Sequence, residues 1–99
     1  MKDWPDRFAR DMACARAEWE RLLLQALTGQ VWTRLDDTQV RIDLEGGTLT
    51  LRWAEGPPRR MALLRLPTLQ LLLHFDGVPP AARRSFMKHL DLYTHRGGG

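Results

Sequence analysis

Residues 39–53 read Gln39-Val40-Arg41-Ile42-Asp43-Leu44-Glu45-Gly46-Gly47-Thr48-Leu49-Thr50-Leu51-Arg52-Trp53, and this stretch decides the fold. Val40, Ile42 and Leu44 alternate with polar neighbours, as do Leu49, Leu51 and Trp53. A period of two belongs to a strand with one buried face, because successive side chains point to opposite sides. Gly46-Gly47 between the two runs suits a two-residue hairpin turn, where both glycines take positive φ. Such a turn sets Leu44 opposite Leu49, Ile42 opposite Leu51 and Val40 opposite Trp53. Every apolar residue then meets another.

Working outward, further strands are expected at 30–35, 61–66 and 68–75. Residues 55–60 form an exposed loop and Pro67 bends the chain. In the last strand Leu69, Leu71, Leu73 and Phe75 form the inner set. Asp76-Gly77 turns the chain, and Pro79-Pro80 opens a helix over 80–96, stopped by Gly97. Its apolar stripe is Ala82, Phe86, Leu90 and Tyr93.

On the N-terminal side, residues 3–28 predict one long helix with Asp3 as cap and Pro5 in the first turn. Trp4, Phe8, Met12, Ala15, Trp19, Leu22 and Ala26 recur at spacings of three and four, and Gly29 supplies the stop. Cys14 falls toward the polar side of that helix and is expected to be partly exposed. The fold class is therefore α+β, one domain over 1–99. It has a long N-terminal helix, an antiparallel sheet of four or five strands, open or curled into a small barrel, a C-terminal helix and a frayed 97–99 tail.

The composition, 43% hydrophobic and 27% charged over 99 residues, is that of a folded domain and argues against disorder. No apolar run approaches the ~18–20 residues a membrane span needs, so a cytoplasmic protein without a membrane partner is expected. The single cysteine excludes an internal disulfide. The formal charge is +3. Basic and acidic residues balance through residue 76, whereas 77–99 hold Arg83, Arg84, Lys88 and Arg96 against Asp91 alone. A basic end attracts nucleic acid or an acidic partner.

No catalytic constellation emerges. Gly46-Gly47 joins two strands, so it is a turn and no phosphate loop. No serine sits in a Gly-x-Ser-x-Gly elbow, and nothing local makes His74, His89 and His95 converge on a metal. No catalytic residue, metal or cofactor is expected, and the leading reading is a non-enzymatic binding module with a protein partner or self-association.

The outer sheet face supplies the candidate site. With Asp36-Asp37 as a two-residue turn, Trp32 opposes Arg41, and Arg41 opposes Arg52 across the hairpin. The row Trp32–Arg41–Arg52 places an aromatic ring beside two guanidinium groups, which suits single-stranded RNA or a phosphate-bearing ligand. Arg83, Arg84 and Lys88 on the terminal helix form a second candidate surface for nucleic acid.

The stretch Val40-Arg41-Ile42-Asp43-Leu44-Glu45-Gly46-Gly47 resembles the V-x-V-x-L-x-G opening strand of the Sm-like small-barrel family. A helix followed by about five antiparallel strands is similar to that family's order. The resemblance implies RNA binding and ring assembly. The family's Asp-x-x-Met-Asn segment has no counterpart after Trp53, so no site residue is carried over.

Overall fold

The alternating stretches build the middle of a five-stranded antiparallel sheet. The structure is a computed structural model that describes residues 4–94. In chain order come β1 (Arg7–Met12), α1 (Arg16–Leu27), β2 (Val31–Asp36), β3 (Gln39–Leu44) and β4 (Gly47–Glu55). Then follow β5 (Arg59–Met61), β6 (Leu64–Leu66), β7 (Leu69–Asp76) and α2 (Pro80–Thr94). The main sheet runs β1-β7-β4-β3-β2, and β5 and β6 form a separate two-stranded ribbon. The sheet is open, with β1 and β2 as its edges, and does not close into a barrel.

The expected long N-terminal helix is the main correction. Residues 7–12 are instead an edge strand paired with β7, and the helix is the 12-residue α1. Spacings of four are even, so Phe8 and Met12 fit a strand face as well as a helical stripe. Both lie half-buried on the inner side of β1 together with Arg10. Pairing settles the choice, because it covers the edge of β7, and the Phe75 amide donates to the Asp6 carbonyl at 2.7 Å. α1 then links β1, at one edge, to β2, at the other. Twelve residues at about 1.5 Å each span about 18 Å. The path crosses four interstrand gaps of about 4.8 Å, about 19 Å in all, and also runs back from the level of Glu55 to that of Thr48, so α1 crosses diagonally with short segments at both ends. Gly29, at φ +83°, ends α1 as expected.

Both helices pack on one side. Trp19, Leu23, Ala26 and Leu27 of α1 and Phe86, Met87 and Leu90 of α2 share a core with the inward residues of the strands, among them Val40, Ile42, Leu51, Trp53, Leu71 and Phe75. The inner set expected for β7 is fully buried. Thr94 rather than Tyr93 completes the buried side of α2, its hydroxyl donating to the Leu90 carbonyl, while Tyr93 is 44% exposed. Residues 95–97, at the expected end of this helix, and the 97–99 tail lie outside the described residues.

Side-chain contacts join the layers. The Trp53 indole N–H donates to Glu20 Oε2 at 2.9 Å, and the Arg16 Nε donates to the same oxygen at 2.8 Å. Trp19 packs edge-on against Trp53 with ring centroids 5.9 Å apart. On the other side Arg10 pairs with Asp91 of α2 and stacks on Trp4. His89 Nε2 donates to the Ala26 carbonyl at 2.6 Å, tying α2 to α1.

The hairpin register differs from the expected one by two residues. Leu44 pairs with Gly47, Ile42 with Leu49 and Val40 with Leu51, so the turn is Glu45-Gly46 and Gly47 belongs to β4. Only Gly46 of the two takes positive φ. Gly47 is needed for a different reason: a Cβ there would lie 1.8 Å from the Asp76 carbonyl oxygen, where the β3–β4 turn packs on the end of β7. Residues 61–66 are no strand of the main sheet. The chain turns at Ala62-Leu63, and β5 and β6 pair with each other.

Gly47→Ala is expected to destabilise by about 1–3 kcal/mol or more, because backbone must move. Gly29→Ala, with open space around it, costs only the left-handed conformation, about 1 kcal/mol. Equal shifts in urea midpoints would refute the close approach. A second expectation concerns acid. Burial pushes the Glu20 carboxyl up, but hydrogen bonds from Arg16 and Trp53 and the Arg16 and Arg34 charges outweigh it, so the net shift is downward. A depressed folded value means that the contribution is present at neutral pH and is lost as pH falls through that value. Glu20→Gln is therefore expected to lower stability at pH 7, and the wild-type and variant denaturation midpoints should converge in acid. A gap that stays constant with pH would show that the carboxylate charge contributes nothing.

Candidate anion-docking face of the sheet

With both helices on the inner side, the outward side chains of the five strands form an uncovered surface. The register lines up Arg7, His74, Thr50, Arg41 and Thr33 in one row across all five strands. Ala9, Leu72, Arg52 and Gln39 form the next row. A shallow depression of about 520 Å³ lies on this face, lined by Arg7, Gln39, Thr50, Arg52, Leu72 and His74 and by no carboxylate. Leu72 is 43% exposed there, a large apolar side chain among polar ones.

Charge on this face is unevenly compensated. Arg41 Nε lies 4.0 Å from Asp43 Oδ1, a loose, exposed pair. Arg7 and Arg52 have no ion-pair partner among the described residues. A guanidinium without a carboxylate keeps all five N–H donors available for an incoming anion, and its planar fork matches a carboxylate or phosphate.

The proposed row Trp32–Arg41–Arg52 is not formed. Thr33, not Trp32, opposes Arg41, and Trp32 opposes Ile42 on the core side, half-buried against the core. Two local features produce this. The turn lies at Asp37-Thr38, with Asp36 Oδ1 accepting from the Thr38 amide at 2.8 Å, and a bulge interrupts the ladder between Arg34 and Asp36. The net shift is one residue, which carries a side chain to the opposite face. Arg41 and Arg52 do share the open face, but as diagonal neighbours: Arg41 opposes Thr50, and Arg52 opposes Gln39.

The three cations of α2 lie on the helical side, away from Arg41 and Arg52. Arg83 is a structural clamp. Its Nε donates to the Val78 carbonyl at 2.8 Å, its Nη1 donates to the Trp4 carbonyl at 2.9 Å, and the guanidinium lies 5.7 Å from the Phe75 ring centroid. Lys88 is exposed and Arg84 half-buried. Arg7 lies within the stretch 3–28 expected to be helical, and a helix would not bring it to the sheet face. The even spacing of Phe8, Arg10 and Met12 is the signal that puts it on a strand.

Among the described residues, no three or more His, Cys, Asp or Glu side chains cluster to hold a metal ion. No helix among them is long and apolar enough to cross a membrane. No model of a known protein family matches this chain, and a search of curated proteins finds no match.

Cys14 is buried, 7% exposed, at the join between β1 and α1, and is not the partly exposed thiol expected from a continuous helix. Burial pushes its thiol pKa up, and the Glu18 charge adds to this. The thiolate is the reactive form. The native protein is therefore expected to react with a thiol reagent at least tenfold more slowly than the urea-unfolded chain at pH 8. Equal rates would show that the join opens freely.

Proposed function

We propose that this protein is a non-enzymatic binding module that docks an acidic segment of a partner protein on the open face of its sheet. The observation that carries the reading is the carboxylate-free depression where Arg7 and Arg52, both without ion-pair partners, flank Leu72 and His74. Guanidinium groups favour carboxylates, and an exposed leucine between them favours an apolar side chain of the same segment. Phe8 also borders the depression, but its ring is stacked with Trp4 and Phe75 on the inner side. Among the described residues, the outward side chains of the face therefore offer no aromatic ring besides the His74 imidazole for the stacking that single-stranded nucleic acid uses.

A poly-glutamate peptide is the probe, with oligouridylate as the competitor that the Sm-like resemblance implies. Arg7→Gln with Arg52→Gln is expected to weaken peptide binding at low salt roughly tenfold or more, with the circular dichroism unchanged. Arg84→Gln with Lys88→Gln should leave it intact. Absence of peptide binding at low salt refutes the reading, and preference for oligouridylate transfers it to RNA.

A further inference from the structure

The β5–β6 ribbon is a second exposed feature, independent of the open face. β4 and β7 pair as far as Glu55 and Leu69. Beyond Gly56, Pro57 and Pro58 on one strand and Pro67 on the other interrupt the ladder, because proline has no N–H to donate. The chain then continues outward as a ribbon in which every residue from Pro57 to Arg65 is exposed. The Cα radius of gyration, 14.0 Å, exceeds the value of about 13 Å usual for 100 residues.

The chemistry of this arm is layered along its axis. At the tip, Leu63 is wholly exposed, Leu64 63% and Met61 57% exposed. One step behind, Arg60 and Arg65 oppose each other directly across the ribbon, and Arg59 follows. Like charges placed directly opposite destabilise a ribbon. No carboxylate pairs with either among the described residues, and the sequence holds no acidic residue between Glu55 and Asp76.

We propose that this arm docks on the surface of an anionic phospholipid bilayer, with Met61, Leu63 and Leu64 entering the interface and the arginines at the phosphate layer. A lipid surface has the same order: anionic groups outside and hydrocarbon beneath. A strand advances about 3.4 Å per residue, so the tip reaches the headgroup–acyl boundary, about 5–10 Å deep, where interfacial segments bury their apolar faces. Contact with one leaflet needs no spanning helix. A nucleic-acid groove fits less well, because an apolar tip would cover base-edge donors and acceptors without replacing their hydrogen bonds.

The test is sedimentation of the full chain with vesicles of phosphatidylcholine alone and of equal phosphatidylcholine and phosphatidylglycerol. Binding is expected only to the anionic vesicles and should fall in about 0.5 M salt, where the screening length shrinks to a few ångströms. Arg60→Gln with Arg65→Gln should weaken it about 30-fold, from about 1 kcal/mol per arginine, and Leu63→Ser with Leu64→Ser at least tenfold. These positions are exposed, so thermal unfolding should be unchanged. An environment-sensitive dye on Leu63→Cys, with Cys14 buried, should shift to the blue on anionic vesicles. Arg7→Gln with Arg52→Gln should bind vesicles as wild type does, which separates this proposal from the sheet-face reading. Equal binding to neutral vesicles, binding that ignores the arm substitutions, or arm-dependent retention on duplex DNA without vesicle binding would each overturn it.

Discussion

The architecture depends on one dimension, the distance that α1 must cover between the two edges of the sheet. β1 and β2 lie at opposite edges, and the chain between them is little more than this helix. The connection must cross four interstrand gaps and also run back from the level of Glu55, where β1 ends, to that of Thr48, where β2 begins, so the helix of about 18 Å takes a diagonal path with short segments at both ends. A continuous helix over 3–28 would leave β7 without its neighbour. Once α1 lies across the sheet, Trp19, Leu23, Ala26 and Leu27 meet the inward residues of the strands, and α2 packs beside it. The Trp53–Glu20–Arg16 contacts join helix and sheet at one point, and the Arg10–Asp91 pair joins the edge strand to α2.

Because both helices cover the same face, the opposite face stays exposed and its cations are held by strand register alone. This gives Arg7, Arg52 and His74 a rigid platform without a deep cavity. The arm is built differently. Prolines on both of its strands interrupt the hydrogen bonding that makes the main sheet one unit, and its side chains are exposed. The molecule thus presents one surface fixed by the sheet and one carried beyond it.

Charge reads differently in sequence and in space. Over residues 31–76 the two signs balance, so this segment looks neutral. Within it Arg59, Arg60 and Arg65 fall together on the arm, whereas Asp43 sits beside Arg41 on the sheet. The excess in 77–99 that stood out in sequence belongs partly to Arg83, whose guanidinium is committed to the Val78 and Trp4 carbonyls. Segment totals miss this because ion pairing acts through space, between residues that sequence order does not bring together.

What the sequence by itself determined was the face of each central strand and the single-sided core. Alternation points Val40, Ile42, Leu44, Leu49, Leu51, Trp53, Leu69, Leu71, Leu73 and Phe75 inward, and all are buried except Leu44, which is half-buried against the core. Apolar alternation specifies a face but leaves register open to steps of two, since a two-residue slip keeps apolar against apolar. That is why the Gly46-Gly47 turn was misplaced while the buried set was right. A one-residue slip reverses the face, and the bulge before Asp36 made that slip for Trp32, so the candidate row lost its aromatic member. Only the tertiary structure decided three things: that residues 7–12 pair with β7 instead of coiling, that Gly47 must lack a side chain beside Asp76, and that Arg7 joins Arg52 on one face. Each depends on contact with a strand 20 or more residues away in the chain, and local spacing carries no record of such a partner.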